Sequence, residues 1–467
     1  MLKVTLVGHA SLLIQSAETT ILTDPVWFDY LWEEINVLCP SIELKKDKVP
    51  PIDVLILSHR HQDHFDVRTL AYLAGDDSPI KPDAVILAPD DGILLDVLKE
   101  LEFTNVRVMA DFEAIQVGDA TITPTASLNQ SSTSKDYYPE HGLLVSDKDV
   151  TLWNQVDSIV SPEIIQRIRD QYGAPDLMHS RFLPLIEGNF SYNKPLDLPF
   201  EEYCSFLNIV RTLAPKFVVP GSAAFRYRDE MTFLNQYSFP VTQDQFLRDL
   251  TAFWPEARAS QFLNGDVAHV SPDGVRIEKQ GSDFVRMRED DSHLVAFKPI
   301  MEVPRMRTRT ADTEKYNREI AVVRNFIENE FTRRLAKSEI LEAWKHWQVA
   351  YQLEVFGQEG SEIWNIDFGQ EGINIQKAEP GKTNLYEGIG SSELFALIEN
   401  KTSWDYVTLC GNYRTFNNIY RVTEGSFEFN PSEKMNCVFE PLMEAFPWDH
   451  AMDREKYMRE VRRWKGK

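Results

Sequence analysis

A run of metal-binding side chains directly follows an apolar segment in the first part of the chain. Residues Val54–Leu57 predict a buried strand, and residues 59–64 then read His-Arg-His-Gln-Asp-His. A strand that ends in a short loop can direct alternate side chains at one point, so we expect His59 and His61 to share one metal ion. Asp63 and His64 lie further round the turn and are expected to bind a second ion. Because imidazole suits zinc and iron and a carboxylate extends the choice toward iron, we predict two divalent ions, zinc or iron. The alternative is a polar surface loop that happens to contain histidines, which this spacing disfavours.

Further ligands are expected at the ends of other predicted strands. Asp157 follows the strand predicted at 151–154, and an aspartate there can bridge two cations and fix their separation. His141 precedes the strand predicted at 142–145 and is the candidate third imidazole for the first ion. His179 precedes another predicted strand and is a further metal candidate, and His9 ends the opening strand. A lone histidine at a strand end is more often a hydrogen-bonded packing residue than a ligand, so both interpretations stay open for His9 and His179.

The pattern of predicted elements changes after about residue 275. The chain has 467 residues, which favours two or more domains. Up to that point strands first follow one another and then alternate with helices, which is typical of a layered α/β sandwich. We therefore predict a metal-binding domain at 1–278 and an α+β accessory domain at 279–467. In the second domain we predict a mostly helical stretch at 313–357, a strand at 404–409 and a charged helix at 453–467.

Composition limits the possible partners. The formal net charge is −23, so the surface repels nucleic-acid phosphates and no nucleic-acid partner is expected. The four cysteines are scattered without a C-x-x-C pair, which supports neither a disulfide framework nor a Rieske-type iron–sulfur site. The first residues alternate like a strand and do not resemble a signal peptide, and no apolar run is long enough to span a membrane. We expect a cytoplasmic protein that acts on a small-molecule substrate and that could form a homo-oligomer.

Three short stretches together resemble a known family. They are Gly8-His9-Ala10-Ser11, Thr23-Asp24-Pro25-Val26-Trp27, and the stretch from Leu57 through the histidine run to Asp66. In this order they resemble the metallo-β-lactamase superfamily. The branch they resemble contains the ascorbate-6-phosphate lactonase, the N-acylphosphatidylethanolamine phospholipase D and the CMP-N-acetylneuraminate hydroxylase. The resemblance covers about residues 1–275 and implies an αββα sandwich with a dinuclear metal site built from loops at one edge of the strands.

The chain also departs from this family. Ser222 follows Val219-Pro220-Gly221, where the family's hydrolases carry a last histidine, and the loop at 127–131 lacks another. His141 would then take the place of a missing histidine as a metal ligand. We assign Asp24 to orienting a ligand histidine, and His9 and Ser222 to the substrate side. Arg226 and Arg228 could hold an anionic substrate group there, although arginines at such positions are more often ordinary surface residues.

Three functions remain open at this stage. In a hydrolase, Asp63, Asp157 and Asp24 would support a metal-bound hydroxide that attacks an ester, lactone, amide or phosphodiester. In a non-haem di-iron oxygenase similar to the hydroxylase of the family, the same ligands would hold iron, and a separate electron donor would be needed. A non-catalytic module would keep the metal for stability alone. Hydrolysis is the more widespread activity in the family that the chain resembles, which favours a hydrolase. The missing late histidine and the likeness to the hydroxylase favour an oxygenase.

Overall fold

The computed structural model describes most of the chain. The described residues are 1–31, 36–128, 138–184, 186, 188–221, 225–235, 241–295, 302–369, 372–377, 380–429, 431, 438–446 and 450–466. Ser222, which the sequence assigned to the substrate side, lies outside these ranges. No helix within them has both the length and the apolar character needed to cross a membrane.

The first sheet of the N-terminal part brings the histidine run to its edge. Its strands are, in spatial order, Gly274–Glu278, Val267–Ser271, Leu2–Gly8, Ser11–Gln15, Thr20–Thr23, Ile52–Ile56, Ile80–Ala88 and Val106–Val108. From Thr20–Thr23 onward, neighbouring strands are parallel. Their carboxyl ends therefore lie on one edge of the sheet, and the loop that carries the histidines leaves Ile52–Ile56 at that edge.

The second sheet brings further polar residues to strand ends. Its strands are, in spatial order, Ile115–Val117, Ala120–Ala126, His141–Ser146, Thr151–Asn154, Leu177–Arg181 and Val218–Gly221. The last three are parallel to one another. His179 was expected to precede a strand, and this is wrong: the strand lies at Leu177–Arg181, where all five residues are buried, and residues 182–184 have no regular structure. His179 is thus inside a strand and does not precede one.

An apolar layer fills the space between the two sheets. Val4 and Leu6 from the first sheet share this core with Ile122 and Val145 from the second. The alternate residues of the same strands face outward and pack against helices, because successive side chains of a strand point to opposite faces. The helices are Val67–Leu73, Gly92–Glu100, Pro162–Tyr172, Phe200–Leu213 and Gln243–Phe253. This confirms the predicted αββα sandwich.

Short elements complete the N-terminal part. A small sheet joins Tyr30–Leu31, Asn36–Leu38 and Phe225–Tyr227, and a second pairs Ser41–Leu44 with Val285–Glu289. Short 3-10 helices are formed at Lys46–Lys48, Asp229–Leu234 and Ser292–Val295. Val285–Glu289 lies beyond the predicted boundary at 278/279, and its pairing with Ser41–Leu44 ties it to the N-terminal part.

The C-terminal part is α+β, as predicted, with its own core. Its sheet has the spatial order Gly372–Lys377, Ser361–Gly369, Ala350–Phe356, Leu385–Gly390 and Tyr413–Asn417, and a hairpin pairs Tyr420–Thr423 with Ser426–Phe429. Its helices are Thr313–Asn325, Thr332–Leu335, Leu341–His346, Ser391–Ile398, Trp404–Leu409, Pro441–Glu444 and His450–Trp464, with a π-helical turn at Phe326–Phe331. The stretch 313–357 is mostly helical, as predicted, although it ends in the strand Ala350–Phe356. The strand predicted at 404–409 is wrong, because Trp404–Leu409 is a helix.

The last helix, His450–Trp464, does not join the C-terminal core. Its buried residues Tyr457, Met458 and Val461 belong to the core of the N-terminal part, together with Leu70 and Val97 of two helices there. The domain division at 278/279 stays a prediction, and this helix and the strand Val285–Glu289 make contacts across it.

Candidate metal centre

The histidine run forms a loop, residues 58–66, that we call the ligand loop. It is closed by a tight turn in which the backbone nitrogens of His64 and Phe65 donate to the carbonyl of His61, at 2.9 and 2.7 Å. The loop ends at Asp66, whose side chain accepts from Thr69 N at 3.2 Å and caps the helix Val67–Leu73. A strand on one side and a capped helix on the other therefore fix both ends of the loop.

One group of candidate ligands consists of His9, Asp63 and His64. All three are buried, and each offers one ligand atom within 4.8 Å of the others. His9 Nε2 lies 3.0 Å from Asp63 Oδ2, and His64 Nε2 lies 3.5 Å from the same oxygen. His9 follows the strand Leu2–Gly8 in a left-handed conformation with φ of 52°. The sequence placed His9 on the substrate side, whereas the structure places its ring in this group.

A second group consists of His59, His61 and Asp157, again with ligand atoms within 4.8 Å of one another. His59 Nε2 lies 2.9 Å from His61 Nδ1. His64 connects the two groups, because its Nε2 atom lies 3.3 Å from Asp157 Oδ2. His61 and Asp157 are only partly buried, so they form the accessible edge of the cluster. The structure thus brings together the ligand-loop residues and Asp157, as expected from the sequence.

Four imidazoles share one arrangement: each has its Nδ1 atom engaged by a neighbouring polar group. These pairs are His64 with Asp24 Oδ2 at 3.1 Å, His59 with Ser58 Oγ at 2.9 Å, His141 with Asp111 Oδ1 at 3.0 Å and His179 with Asn154 Oδ1 at 2.8 Å. A ring held through Nδ1–H keeps a lone pair on Nε2, which is the tautomer that binds a metal. Asp24, expected to orient a ligand histidine, makes this contact with His64.

His141 and His179 lie outside the two close groups. His141 N donates to the carbonyl of Ser58 at 3.2 Å, which holds its strand beside the ligand loop. His179 lies next to Asn154 in the parallel register of the second sheet. Within the described residues, the Nε2 atoms of His141 and His179 are buried and make no hydrogen bond, and the same is true of Asp63 Oδ1. Buried atoms without partners are uncommon and here fit donors aimed at a cation. The roles of His141 and His179 as ligands stay predictions.

Gly221 gives His179 its space. A Cβ atom at this position would lie 2.0 Å from His179 Nε2, so a side chain there would displace the ring. The end of this strand therefore accommodates the His179 ring.

The two arginines assigned to the substrate side already have partners. Arg226 Nε lies 2.7 Å from Asp291 Oδ2, and Arg228 Nε lies 2.9 Å from Asp229 Oδ2. The Arg228 guanidinium also lies over the ring of Tyr30, 4.6 Å from its centre. A role in holding an anionic substrate stays a prediction for both, and it would require these ion pairs to rearrange.

The electrostatics of the cluster favour cations. Burial alone would raise the pKa of the Asp63 and Asp157 carboxyls, but the neighbouring His64 holds both well below the usual value. Burial would lower the pKa of His64, yet the same two carboxylates raise it well above the usual imidazole value. The field of Asp63 and Asp157 thus favours a positive charge at His64, and a metal cation bound there would displace the His64 Nε2 proton and be attracted by the same field.

Two other imidazoles are held neutral. Burial, followed by the charges of His64 and His61, lowers the pKa of His59 well below its usual value. Burial, followed by the charge of His9, lowers the pKa of His179 to about 3. Neutral imidazole is the form that ligates metals, so both rings are ready to bind without losing a proton.

The structure adds residues that sequence reasoning missed. The hydroxyl of Tyr138 contacts His61 Nε2, and its ring stacks over that of His59 with centroids 6.1 Å apart. Asp111, Asn154 and Ser58 hold imidazoles, as described above. Ser58 and Asn154 carried a signal, because each stands at the end of a strand that leads into the site. Tyr138 and Asp111 stand in irregular segments, where spacing gives no indication.

The fold and this cluster define a class of protein. Imidazoles and carboxylates gather where the strands of an αββα sandwich end, which is the arrangement of metallo-β-lactamase-fold proteins. Residues 3–166 match the family model described as "Beta-lactamase superfamily domain". This segment therefore belongs to the metallo-β-lactamase superfamily, which confirms the family predicted from the sequence.

Individual relatives match parts of the chain. A UPF0173 protein of Pyrococcus abyssi is 28% identical over 150 residues, which are 32% of this chain and 58% of that protein. A Mycolicibacterium smegmatis protein, provisionally named as a Rieske 2Fe-2S iron–sulfur protein, is 28% identical over 201 residues, 42% of this chain and 36% of its own length. The chain thus spans less than two thirds of either relative. Among solved structures, the diiron β-hydroxylase CmlA of Streptomyces venezuelae has a TM-score of 0.39 at 18% identity, covering 59% of this chain and 54% of that one.

Proposed function

We propose that this protein is a dinuclear metal-dependent hydrolase that acts on a small or anionic ester, lactone, amide or phosphodiester. The observation that carries the proposal is the shared anchoring of the imidazoles. With Nδ1 held by a neighbour, the Nε2 atoms of His59 and His64 are left for cations, next to the carboxylates of Asp63 and Asp157. Such anchoring fixes the ring orientation before a metal arrives, and it is typical of sites built to hold one.

The residues present fit two cations. His9, Asp63 and His64 would hold one ion, and His59, His61 and Asp157 would hold the other. Mixed imidazole and carboxylate donors suit zinc and iron. Bound there, divalent ions supply Lewis-acid polarisation of the scissile group and a water of lowered pKa.

The chain's own residues have separate tasks around this centre. Asp24 orients His64 and also accepts hydrogen bonds from Ser58 N and Ser58 Oγ, both at 2.7 Å, so one buried carboxylate fixes the entrance to the ligand loop. Asp63 Oδ1 is buried and accepts no hydrogen bond from a described residue, which leaves it able to accept one from an attacking water. The partly exposed edge formed by His61 and Asp157 is the side from which a substrate can approach.

A second candidate is a di-iron oxygenase. The relative from Mycolicibacterium smegmatis favours it, since its name refers to an iron–sulfur centre. Within the described residues, Cys39, Cys204 and Cys410 are free cysteines. Cys437 lies outside the described residues. Because the four cysteines are scattered in the sequence without the paired spacing of a Rieske-type site, an oxygenase would draw electrons from a separate donor.

A substrate panel tests the proposal. Protein loaded with zinc or with iron would be assayed on esters, lactones, amides and phosphodiesters, with an Asp63→Asn variant beside it. We expect hydrolysis by the parent and a loss of at least about 100-fold in the variant. Asp90→Asn is the matched control, because Asp90 is an exposed aspartate at the end of the neighbouring strand. Oxygen consumption by the iron form without hydrolysis would instead support the oxygenase. If neither the zinc form nor the iron form converted any substrate, the non-catalytic module that binds metal only for stability would be supported instead.

A further inference from the structure

Arg60 stands inside the ligand loop, between the candidate ligands His59 and His61. Only 8% of its side chain is exposed. Its Nε lies 3.0 Å from Asp91 Oδ2, and its Nη1 contacts Asp453 Oδ2 of the C-terminal helix His450–Trp464. Asp91 in turn caps the helix Gly92–Glu100 by accepting from Leu94 N at 2.9 Å. The guanidinium is thus held between two carboxylates, one of which comes from nearly 400 residues further along the chain.

The same helix touches the ligand loop a second time. Tyr457 lies four residues after Asp453, so both side chains lie on one face of the helix. The hydroxyl of Tyr457 donates to the carbonyl of Arg60 at 3.3 Å, and its ring lies 5.6 Å from that of Phe65, centre to centre. Phe65 directly follows His64. The helix therefore contacts the loop at both ends of the stretch that carries His61, Asp63 and His64.

Charge gives these contacts a consequence for metal binding. A guanidinium beside a site for two divalent cations repels them, and a low-dielectric interior strengthens this repulsion. Arg60 pairs with both Asp91 and Asp453, so these three side chains together carry a net negative charge. Arg60 also lies over the ring of Tyr138, 5.7 Å from its centre, and the hydroxyl of Tyr138 contacts His61. Arg60 is therefore linked, through its contact with Tyr138, to the candidate ligand His61.

We propose that the C-terminal helix is a positioning element of the metal centre. Asp453 neutralises and holds Arg60, and Tyr457 fixes the backbone of the ligand loop. This inference rests on the proposed function only in requiring that the cluster binds metal. It gives the C-terminal part of the chain a definite task, since the helix that it contributes completes the support of the loop.

The test uses the full chain and compares Asp453→Asn with Arg454→Gln. Arg454 is the matched control: it belongs to the same helix, and its exposed side chain pairs with Asp96 of the helix Gly92–Glu100, which lies outside the ligand loop. For each protein, zinc affinity is measured by competition with a chelator, and the visible spectrum is recorded with cobalt in place of zinc. Removing partners that orient ligands typically weakens metal binding 10- to 100-fold. We expect a loss of about that size and an altered cobalt spectrum for Asp453→Asn, with affinity within about twofold of the parent and an unchanged spectrum for Arg454→Gln.

A second variant keeps the test independent of folding. Tyr457→Phe removes only the hydroxyl that reaches Arg60, and we expect about threefold weaker zinc binding. Parental affinity and an unchanged cobalt spectrum in both Asp453→Asn and Tyr457→Phe would overturn the inference. Should Asp453→Asn not fold, Tyr457→Phe decides alone. A parent that binds zinc but hydrolyses nothing would contradict the proposed function and leave this inference standing.

Discussion

Asp24 Oδ2 accepts a hydrogen bond from His64 Nδ1 at 3.1 Å, with both side chains completely buried. The same oxygen accepts from Ser58 Oγ, which is also in contact with His59. One carboxylate at the end of the strand Thr20–Thr23 thus orients, directly or through a serine, two imidazoles of the ligand loop. The two candidate ion sites share this support.

The first prediction concerns this support. Asp24→Ala removes the acceptor for His64 Nδ1 and leaves the hydroxyl and backbone nitrogen of Ser58 without their partner. We expect metal affinity to fall about 10- to 100-fold, because the rings lose their orientation. Competition with a chelator measures the effect, and Asp90→Ala is the control. Unchanged affinity in the Asp24 variant would show that the imidazoles are oriented by other contacts.

A second prediction uses the space beside His179. Gly221→Ala would place a Cβ atom 2.0 Å from His179 Nε2, so the ring or the backbone must move. We expect a loss of about 1–3 kcal/mol in the free energy of unfolding, the usual cost of overpacking a core. Gly360→Ala is the control, because a Cβ there meets no atom within 4 Å. Equal denaturant midpoints for the two variants would contradict the placement of His179.

The third prediction concerns pH and lies in the C-terminal core. Burial raises the pKa of Glu387 to about 8, even though Tyr413 Oη donates to its carboxyl at 2.7 Å and Leu442 N at 2.8 Å. The folded state therefore holds a proton that the unfolded chain releases near pH 4.5. This contribution to stability is complete below about pH 4.5 and is lost as the pH rises to about 8. It amounts to a few kcal/mol over that window.

Urea unfolding between pH 5 and pH 8 measures this contribution. Glu440 faces the same group, and burial raises its pKa as well, so some pH dependence remains when Glu387 alone is changed. Glu387→Gln keeps the shape without the titration, and the decline in stability with pH is expected to be clearly shallower than in the parent. Identical slopes for parent and variant would show that Glu387 is ionised in the folded protein.

The sandwich was predictable because its strands carry local signals. The strand before the ligand loop, Ile52–Ile56, begins and ends within two residues of its predicted bounds. The wrong assignment at Trp404–Leu409 has a physical cause. Its aromatic and β-branched residues favour a strand, but Ser403 caps a helix by accepting from Tyr406 N, and Val407 and Cys410 are buried at helical spacing. Tertiary packing, and not the local preference of these residues, therefore determines that this segment is a helix.

The candidate site was predictable where its residues are neighbours in sequence or, as for Asp157, where a carboxylate directly follows a predicted strand. The ligand loop and Asp157 come together as expected. The contact between His9 and Asp63 depends on the order of strands in the first sheet, which brings the end of Leu2–Gly8 close to the ligand loop. The contact between Arg60 and Asp453 depends on a helix at the other end of the chain. Spacing along the sequence carries no information about such long-range neighbours.

The central claim is that the cluster holds two cations, and metal analysis tests it most directly. Protein purified without added metal, and the same protein after dialysis against zinc or iron, would be analysed for metal per chain beside an Asp63→Ala variant. We predict two ions per chain in the loaded parent and one or none in the variant, because Asp63 contacts both His9 and His64. A parent that binds no metal, or a variant that binds as much as the parent, would contradict the account.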